Sequence, residues 1–193
     1  KLHQLAFDRA NQSIQSNIEP WNGYELMGNL YNNLAFTPPL EDSLKTVYIS
    51  QAKYYYNQSL GVKPDHINAL IGKATIAMQQ QDFNTAIFLY HQVLEIDPNF
   101  ALAIQYLGLC HKILSNQKGQ ASSDTRLWLS YMQRLDKLNP DNPYIRLDIG
   151  IAHCILGDCE QSLDYLKGLI DVPGLPAEEL KSAKSCLKRC GGL

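Results

Sequence analysis

Four cysteines and one histidine near the end of the chain are the residues best suited to metal chemistry. They are Cys154, Cys159, Cys186, Cys190 and His153. Cys186 and Cys190 are four residues apart, so on a helix they share one face, and four thiolate or imidazole ligands can hold zinc tetrahedrally. However, no C-x2-C pair is present, and free cysteine is a common buried residue. The sequence therefore predicts no metal site and no cofactor.

The number of cysteines points to a reducing compartment. Cys110 brings the total to five, an odd number without the spacing of a disulfide framework. We therefore expect a cytoplasmic protein that uses its cysteines as small core residues. The first residue is Lys1, which leaves open a cleaved leader or a longer parent chain.

Composition and motifs narrow the function classes further. The 193 residues carry a net charge of -2 and only 19% charged side chains, so no strong field attracts nucleic acid or anionic lipid. No apolar run approaches the roughly 18 residues of a membrane span. The chain also lacks a nucleophile elbow, a phosphate loop and an H-E-x-x-H pattern. These observations favour a soluble protein that is not an enzyme.

Internal repetition is the strongest pattern in the chain. Residues 67–100 contain an apolar helix, a polar break, a second apolar helix and a stop at Pro98. The spacing from Pro64 to Pro98 is 34 residues, and the spacing from Pro98 to Pro140 is 42 residues, which is eight more. We place the extra residues in a polar loop over residues 115–123.

This pattern resembles the tetratricopeptide repeat family, whose 34-residue unit reads W-x2-L-G-x2-Y, then A-x3-F, then P. Met27-Gly28, Leu107-Gly108 and Ile149-Gly150 occupy the L-G positions of three units. The resemblance implies an all-α fold, a right-handed superhelix of about four helical-hairpin repeats in a single domain. The predicted segments are an N-terminal helix at 1–20, repeats at 21–66 with an enlarged loop, 67–100, 101–142 with the insertion and 143–175, and a capping helix at 176–193.

In the tetratricopeptide repeat family the first helix of each repeat lines a concave groove. By resemblance, the inward positions here are polar amides toward the N-terminal end and apolar side chains toward the C-terminal end. The predicted partner-binding residues are Asn22, Asn29, Asn33, Asn68, Ile71, Leu102, Gln105, Leu109, Ile113, Tyr144, Leu147, Ile151 and Ile155.

These side chains suit a neutral protein ligand. Asparagine can pair with the main chain of an extended peptide, and an apolar surface can hold an amphipathic helix. We therefore predict a non-enzymatic adaptor or scaffold that binds a peptide or helix of a partner protein. Two alternatives stay open: the first helix or a second copy fills the groove, or the chain is a structural subunit that uses the same surface to self-associate or to dock in a larger assembly.

One specialised role is not expected. A subgroup of the family binds the C-terminal carboxylates of heat-shock chaperones through lysine and arginine on the inner face. Glu25, Leu102 and Tyr106 stand at the matching positions here. A carboxylate needs positive charge and hydrogen-bond donors, which these side chains do not supply together.

Overall fold

The computed structural model describes residues 2–37, 40–118 and 122–192. Within them the chain forms ten α-helices and no strand, which confirms the all-α prediction. The helices are α1 (Leu2–Ser16), α2 (Pro20–Ala35), α3 (Asp42–Val62), α4 (Ile67–Gln79), α5 (Phe83–Ile96), α6 (Ala101–Lys118), α7 (Ser123–Leu138), α8 (Pro143–Leu156), α9 (Cys159–Leu166) and α10 (Ala177–Arg189). None of these described helices combines the length and the apolarity that crossing a bilayer requires.

The chain divides into two compact units, Lys1–Pro98 and Asn99–Leu193. Unit 1 pairs α2 with α3 and α4 with α5, and α1 packs on α2. Unit 2 pairs α6 with α7 and α8 with α9, and α10 packs on both α8 and α9. Each unit therefore contains two helical hairpins plus one terminal helix. The predicted segment boundaries and the single domain stay predictions.

Side-chain caps explain where several helices begin. The first N–H groups of a helix have no partner within it, so a side-chain oxygen that accepts from them stabilises the start. Asp82 accepts from the Thr85 N–H at the start of α5. Asn142 accepts from the N–H groups of Tyr144 and Ile145 at the start of α8.

The predicted insertion loop over residues 115–123 is helical at residues 115–118 and at residue 123. Helix α6 continues to Lys118, and Ser122 caps α7, so the described part of the insertion lengthens a hairpin. The prediction of a polar loop is wrong for Ser115 to Lys118, because Ser115 is buried and its hydroxyl lies 2.6 Å from that of Thr125. Residues 119–121 of this loop, and Pro38-Pro39 of the enlarged loop, lie outside the described residues.

Glycines set the distance between the helices of a hairpin. A Cβ atom added to Gly28 would lie 2.6 Å from the ring of Tyr56, and one added to Gly150 would lie 2.6 Å from Leu166. Real Cβ atoms do not approach other atoms so closely. The repeat therefore places glycine, at its L-G positions, where a large side chain of the second helix must fit.

Candidate functional site

A cleft of about 440 Å³ opens in unit 2 among helices α6, α7 and α8. Its apolar lining includes Leu109 of α6, Leu135 and Leu138 of α7, and Tyr144 and Ile145 of α8. The hairpin geometry brings these side chains together, because α7 packs on both α6 and α8. A concave, mainly apolar site of this volume is typical of ligand and peptide pockets.

Polar groups complete the lining of this cleft. Gln105, Asn139 and Asn142 contribute side-chain amides, and Asp148 contributes one carboxylate. Gln105 and Asn139 are exposed, so their amides face solvent and can accept or donate hydrogen bonds. The cleft therefore combines an apolar interior with side-chain amides and one carboxylate.

Large apolar side chains are also exposed near the cleft. Leu102, Leu109 and Tyr144 expose 39%, 38% and 52% of their surfaces. The hydroxyl of Tyr144 donates to the Gly174 carbonyl at 3.0 Å, which fixes the orientation of its ring. An exposed apolar cluster beside a cleft is a common mark of an interaction site.

The other predicted groove residues of unit 2 are less accessible. Leu147 and Ile151, which the sequence places on an open groove, are buried, with exposures of 1% and 6%. Ile113 and Ile155 are half-buried. Ile151 and Ile155 line a second hollow, of about 530 Å³, together with residues of α6 and α10. The open apolar surface of unit 2 is therefore formed by Leu102 and Leu109 of α6 and by Tyr144 at the start of α8, and α10 lies beside the C-terminal half of α8.

The predicted amide positions of unit 1 differ from one another in their partners. Asn29 donates to Glu25 at 2.7 Å and accepts from the Tyr56 hydroxyl at 2.6 Å, so its amide is engaged within the unit. Asn68 donates to the same Glu25 at 3.4 Å. Asn22, Asn33 and Asn68 are exposed, whereas Asn29 and Ile71 are half-buried.

Lys112 joins three helices of unit 2. Its ammonium lies 2.8 Å from Asp148 of α8 and 3.5 Å from Glu179 of α10, and 5.3 Å from the centre of the buried Trp128 ring. Burial raises the pKa of Asp148, and the nearby Lys112 charge opposes that rise. Since Asp148 is already paired with a cation, the cleft does not require a charged ligand.

Four of the five cysteines form two disulfides, which the sequence does not predict. Cys154 is bonded to Cys186, and Cys159 to Cys190, with Cα–Cα distances of 5.8 and 5.2 Å. The interpretation of these four as free core thiols is wrong, and disulfide sulfurs are not the thiolates that zinc needs. Among the described residues no group of three or more histidine, cysteine or acidic side chains is arranged to hold a metal.

A signal for this pairing was present in the sequence. Cys186 lies in the last turn of α10 and Cys190 is its C-cap, and Cys154 and Cys159 flank the turn between α8 and α9. The end of α10 therefore brings two cysteines close to two others on either side of a short turn. Cys110 remains a free thiol, and burial raises its pKa to about 11, so it is unreactive near neutral pH.

One cluster in unit 1 has the composition of a hydrolytic triad. Ser59 Oγ lies 2.7 Å from His66 Nδ1, and Glu25 Oε2 lies 3.5 Å from His66 Nε2. Ser59 is completely buried, and its hydroxyl donates to the Trp21 carbonyl. A nucleophile must reach its substrate, so this cluster serves packing between α2, α3 and α4 in this structure.

No protein-family model and no curated protein sequence matches the chain. Solved structures do. YrrB, described as a TPR protein with an unusual peptide-binding site, matches with a TM-score of 0.70 and 17% identity over 95% of this chain and 84% of that one. MamA matches with a TM-score of 0.62 and 17% identity, covering 86% of this chain and 84% of its own.

A tetratricopeptide repeat protein from Parabacteroides merdae ATCC 43184 covers 98% of this chain and 74% of its own, with a TM-score of 0.61 and 13% identity. Identities this low establish the fold and nothing finer. The chain therefore has the fold of the tetratricopeptide repeat proteins, as the repeat pattern predicts.

Proposed function

We propose that this protein is a non-enzymatic interaction scaffold whose unit 2 cleft binds an extended, uncharged peptide segment of a partner protein. The observation that carries the proposal is the 440 Å³ cleft with Leu109 and Tyr144 exposed in its lining. The fold supports it as well, because one solved structure with this fold is described by its peptide-binding site.

The lining suggests how such a peptide is recognised. One large apolar side chain of the peptide enters between Leu109, Leu135 and Tyr144, and removing it from water supplies the main gain in free energy. The amides of Gln105 and Asn139 pair with the peptide main chain, which offers a donor and an acceptor at most residues. Leu102 extends the apolar contact on α6.

The asparagines predicted to bind a partner in unit 1 are part of this proposal. In unit 1, Asn22, Asn33 and Asn68 are exposed and can hydrogen-bond to a protein ligand. A cytoplasmic location also stays a prediction, and the paired cysteines argue against it, because disulfides persist mainly in oxidising compartments.

Peptide selection followed by a matched pair of variants tests the proposal. Peptides are selected from a random display library on the oxidised chain, and their affinities are measured by fluorescence anisotropy. Leu109→Glu should weaken binding at least about tenfold, because burial of a leucine is worth roughly 2 kcal/mol and about 1.4 kcal/mol is a factor of ten. Leu127→Glu is the control, since Leu127 is 41% exposed in the same unit and outside the cleft lining.

Two results would contradict the proposal. Equal affinity of the selected peptides for Leu109→Glu and for the unaltered chain places their site elsewhere. A dimer that light scattering detects and that Leu109→Glu abolishes assigns the surface to self-association. Ile151→Glu is unsuitable as a binding test, because Ile151 is buried and the change would disturb folding.

A further inference from the structure

We infer that two disulfides hold α10 as a cover over the C-terminal half of α8, and that reduction uncovers a docking face there for an amphipathic partner helix with a carboxylate in its first turn. This face is separate from the cleft of the proposed function. A failure of one proposal therefore leaves the other standing.

Helix α10 lies alongside α8. It runs in the same direction as α8. The Tyr144 hydroxyl donates to the Gly174 carbonyl just before α10, Lys112 joins Asp148 to Glu179 in the first turn of α10, and Cys154 is bonded to Cys186 near the ends of the two helices. The helix therefore lies beside the C-terminal half of α8, and its Glu179 also reaches Lys112 of α6.

The attachment of α10 apart from its disulfides is weak. Among its 13 residues only Ala183, Cys186 and Leu187 are buried, and Cys186 belongs to a disulfide. Its remaining contacts include the ion pair from Glu179 to Lys112 and a hydrogen bond from the Arg189 guanidinium to the Cys154 carbonyl. The buried Ala183 and Leu187, with the half-buried Leu180, are a small apolar anchor, and partly exposed ion pairs contribute little.

Both disulfides act on this one helix. Cys154–Cys186 joins α10 to α8, and Cys159–Cys190 joins its C-terminal end to the start of α9. No other disulfide occurs among the described residues. Because the sequence separations are 32 and 31 residues, each bond removes much of the freedom of the segment that leads to α10.

The face beneath α10 has a definite chemistry. Ile151 and Ile155 line the 530 Å³ hollow that α6 and α8 share with α10, and Lys112 lies in the same lining. When α10 leaves, these isoleucines and the ammonium are left without the covering helix. They suit a helix with an apolar stripe and a carboxylate in its first turn, which is the pattern that α10 itself presents through Leu187, Ala183 and Glu179.

The chemistry of release requires a dithiol reductant. Each S–S bond accepts two electrons and two protons and becomes two thiols, while the dithiol loses them and closes to its own disulfide. Cys159 and Cys190 are half-buried, whereas Cys154 and Cys186 are buried. The outer bond is therefore reduced first, and loosening of the α10 end gives access to the inner bond.

Hydrogen exchange on the full chain tests the release. Exchange of the α10 amides should accelerate at least about 100-fold with dithiothreitol. Each disulfide closes a loop of roughly 30 residues, and opening that loop should raise the equilibrium constant for detachment of α10 by more than this factor. Amides of α6 and α7 should change less than about threefold. The Cys159→Ser/Cys190→Ser variant, without reductant, should show a smaller acceleration, confined to the end of α10.

Binding in trans tests the docking face. The probe is a labelled peptide with the sequence of residues 176–190 and serine in place of both cysteines. It should bind the reduced chain and not the oxidised one, and Glu179→Lys in the peptide should weaken binding at least fivefold. Lys112→Met in the protein should abolish that difference between the two peptides.

Each alternative outcome overturns the inference. Unchanged exchange of α10 after reduction means that its packing alone holds it. Uniform loss of protection across unit 2 means that the disulfides hold the whole unit instead. A dimer formed by exchange of α10 between two copies, seen by light scattering of the reduced chain, assigns the face to a second copy in place of a partner.

Discussion

The contact of Tyr56 with two glycines gives the sharpest test of how the hairpins pack. Tyr56 of α3 is completely buried, and its ring lies against Gly28 of α2 and Gly72 of α4. A Cβ atom added at Gly72 would lie 2.3 Å from the ring, and one added at Gly28 would lie 2.6 Å from it. The Tyr56 hydroxyl also donates to Asn29 at 2.6 Å, so the ring has little room to move.

The expected cost of Gly72→Ala follows from these contacts. Overpacking a confined core position costs about 3 kcal/mol at the upper end of its range, and alanine gains roughly 1 kcal/mol over glycine within a helix. We therefore expect the free energy of unfolding of unit 1 to fall by about 2 kcal/mol. Adding Tyr56→Leu to the Gly72→Ala chain should recover part of the lost stability, because the smaller side chain leaves room for the added methyl group.

Gly61→Ala is the matched control, and it should have the opposite sign. Gly61 lies near the end of α3, is exposed, and an added Cβ atom there meets nothing within 4 Å. Only the gain in helix propensity remains, so unit 1 should become more stable by about 0.5 kcal/mol.

Urea unfolding measures both changes. Trp21 is the tryptophan of unit 1, and its fluorescence is followed in a Trp128→Phe background common to all variants. Equal stabilisation by Gly72→Ala and Gly61→Ala would refute the argument, because it would mean that the Tyr56 ring yields at no cost.

Three further changes are predicted. Burial lowers the pKa of His66, so the unfolded chain binds a proton at this side chain more readily than the folded chain does. The free energy of unfolding of unit 1 should therefore fall as the pH drops below about 6.5. In urea titrations, His66→Gln should make that free energy depend less on pH. Burial raises the pKa of Asp124, but hydrogen bonds from Lys118 and His111 outweigh it and hold the pKa below its usual value. Ionised Asp124 therefore stabilises unit 2 above about pH 4, and this stability is lost as the pH falls further. Asp124→Asn should remove that loss of stability, measured by urea unfolding across the pH range. Asn142→Ala removes the cap of α8 and should cost unit 2 about 1 kcal/mol by urea unfolding; no change would mean that solvent caps the helix equally well.

Much of the fold was predictable because its determinants are local. A 34-residue period, apolar positions at helical spacing and glycine opposite a large side chain are all visible along the chain. The two helices predicted within residues 67–100 are observed as Ile67–Gln79 and Phe83–Ile96. Gly28 and Gly150 occupy the close contacts that their repeat positions predict.

The accessible surface was less predictable. Repeat positions predict which face of a helix points inward, and they say nothing of what covers that face. Leu109 is exposed and Ile151 is buried, although both occupy the ninth position of their repeats. The difference arises from the segment after α9, which carries α10 back along α8.

The sequence by itself determined the helical hairpins of this protein, their close glycine contacts and their low charge, because helical periodicity and side-chain volume act between near neighbours. Only the tertiary structure decided that Cys154 meets Cys186, that Cys159 meets Cys190, and that α10 lies beside Ile151. Those contacts join residues more than 30 positions apart, so they depend on the path of the chain in space.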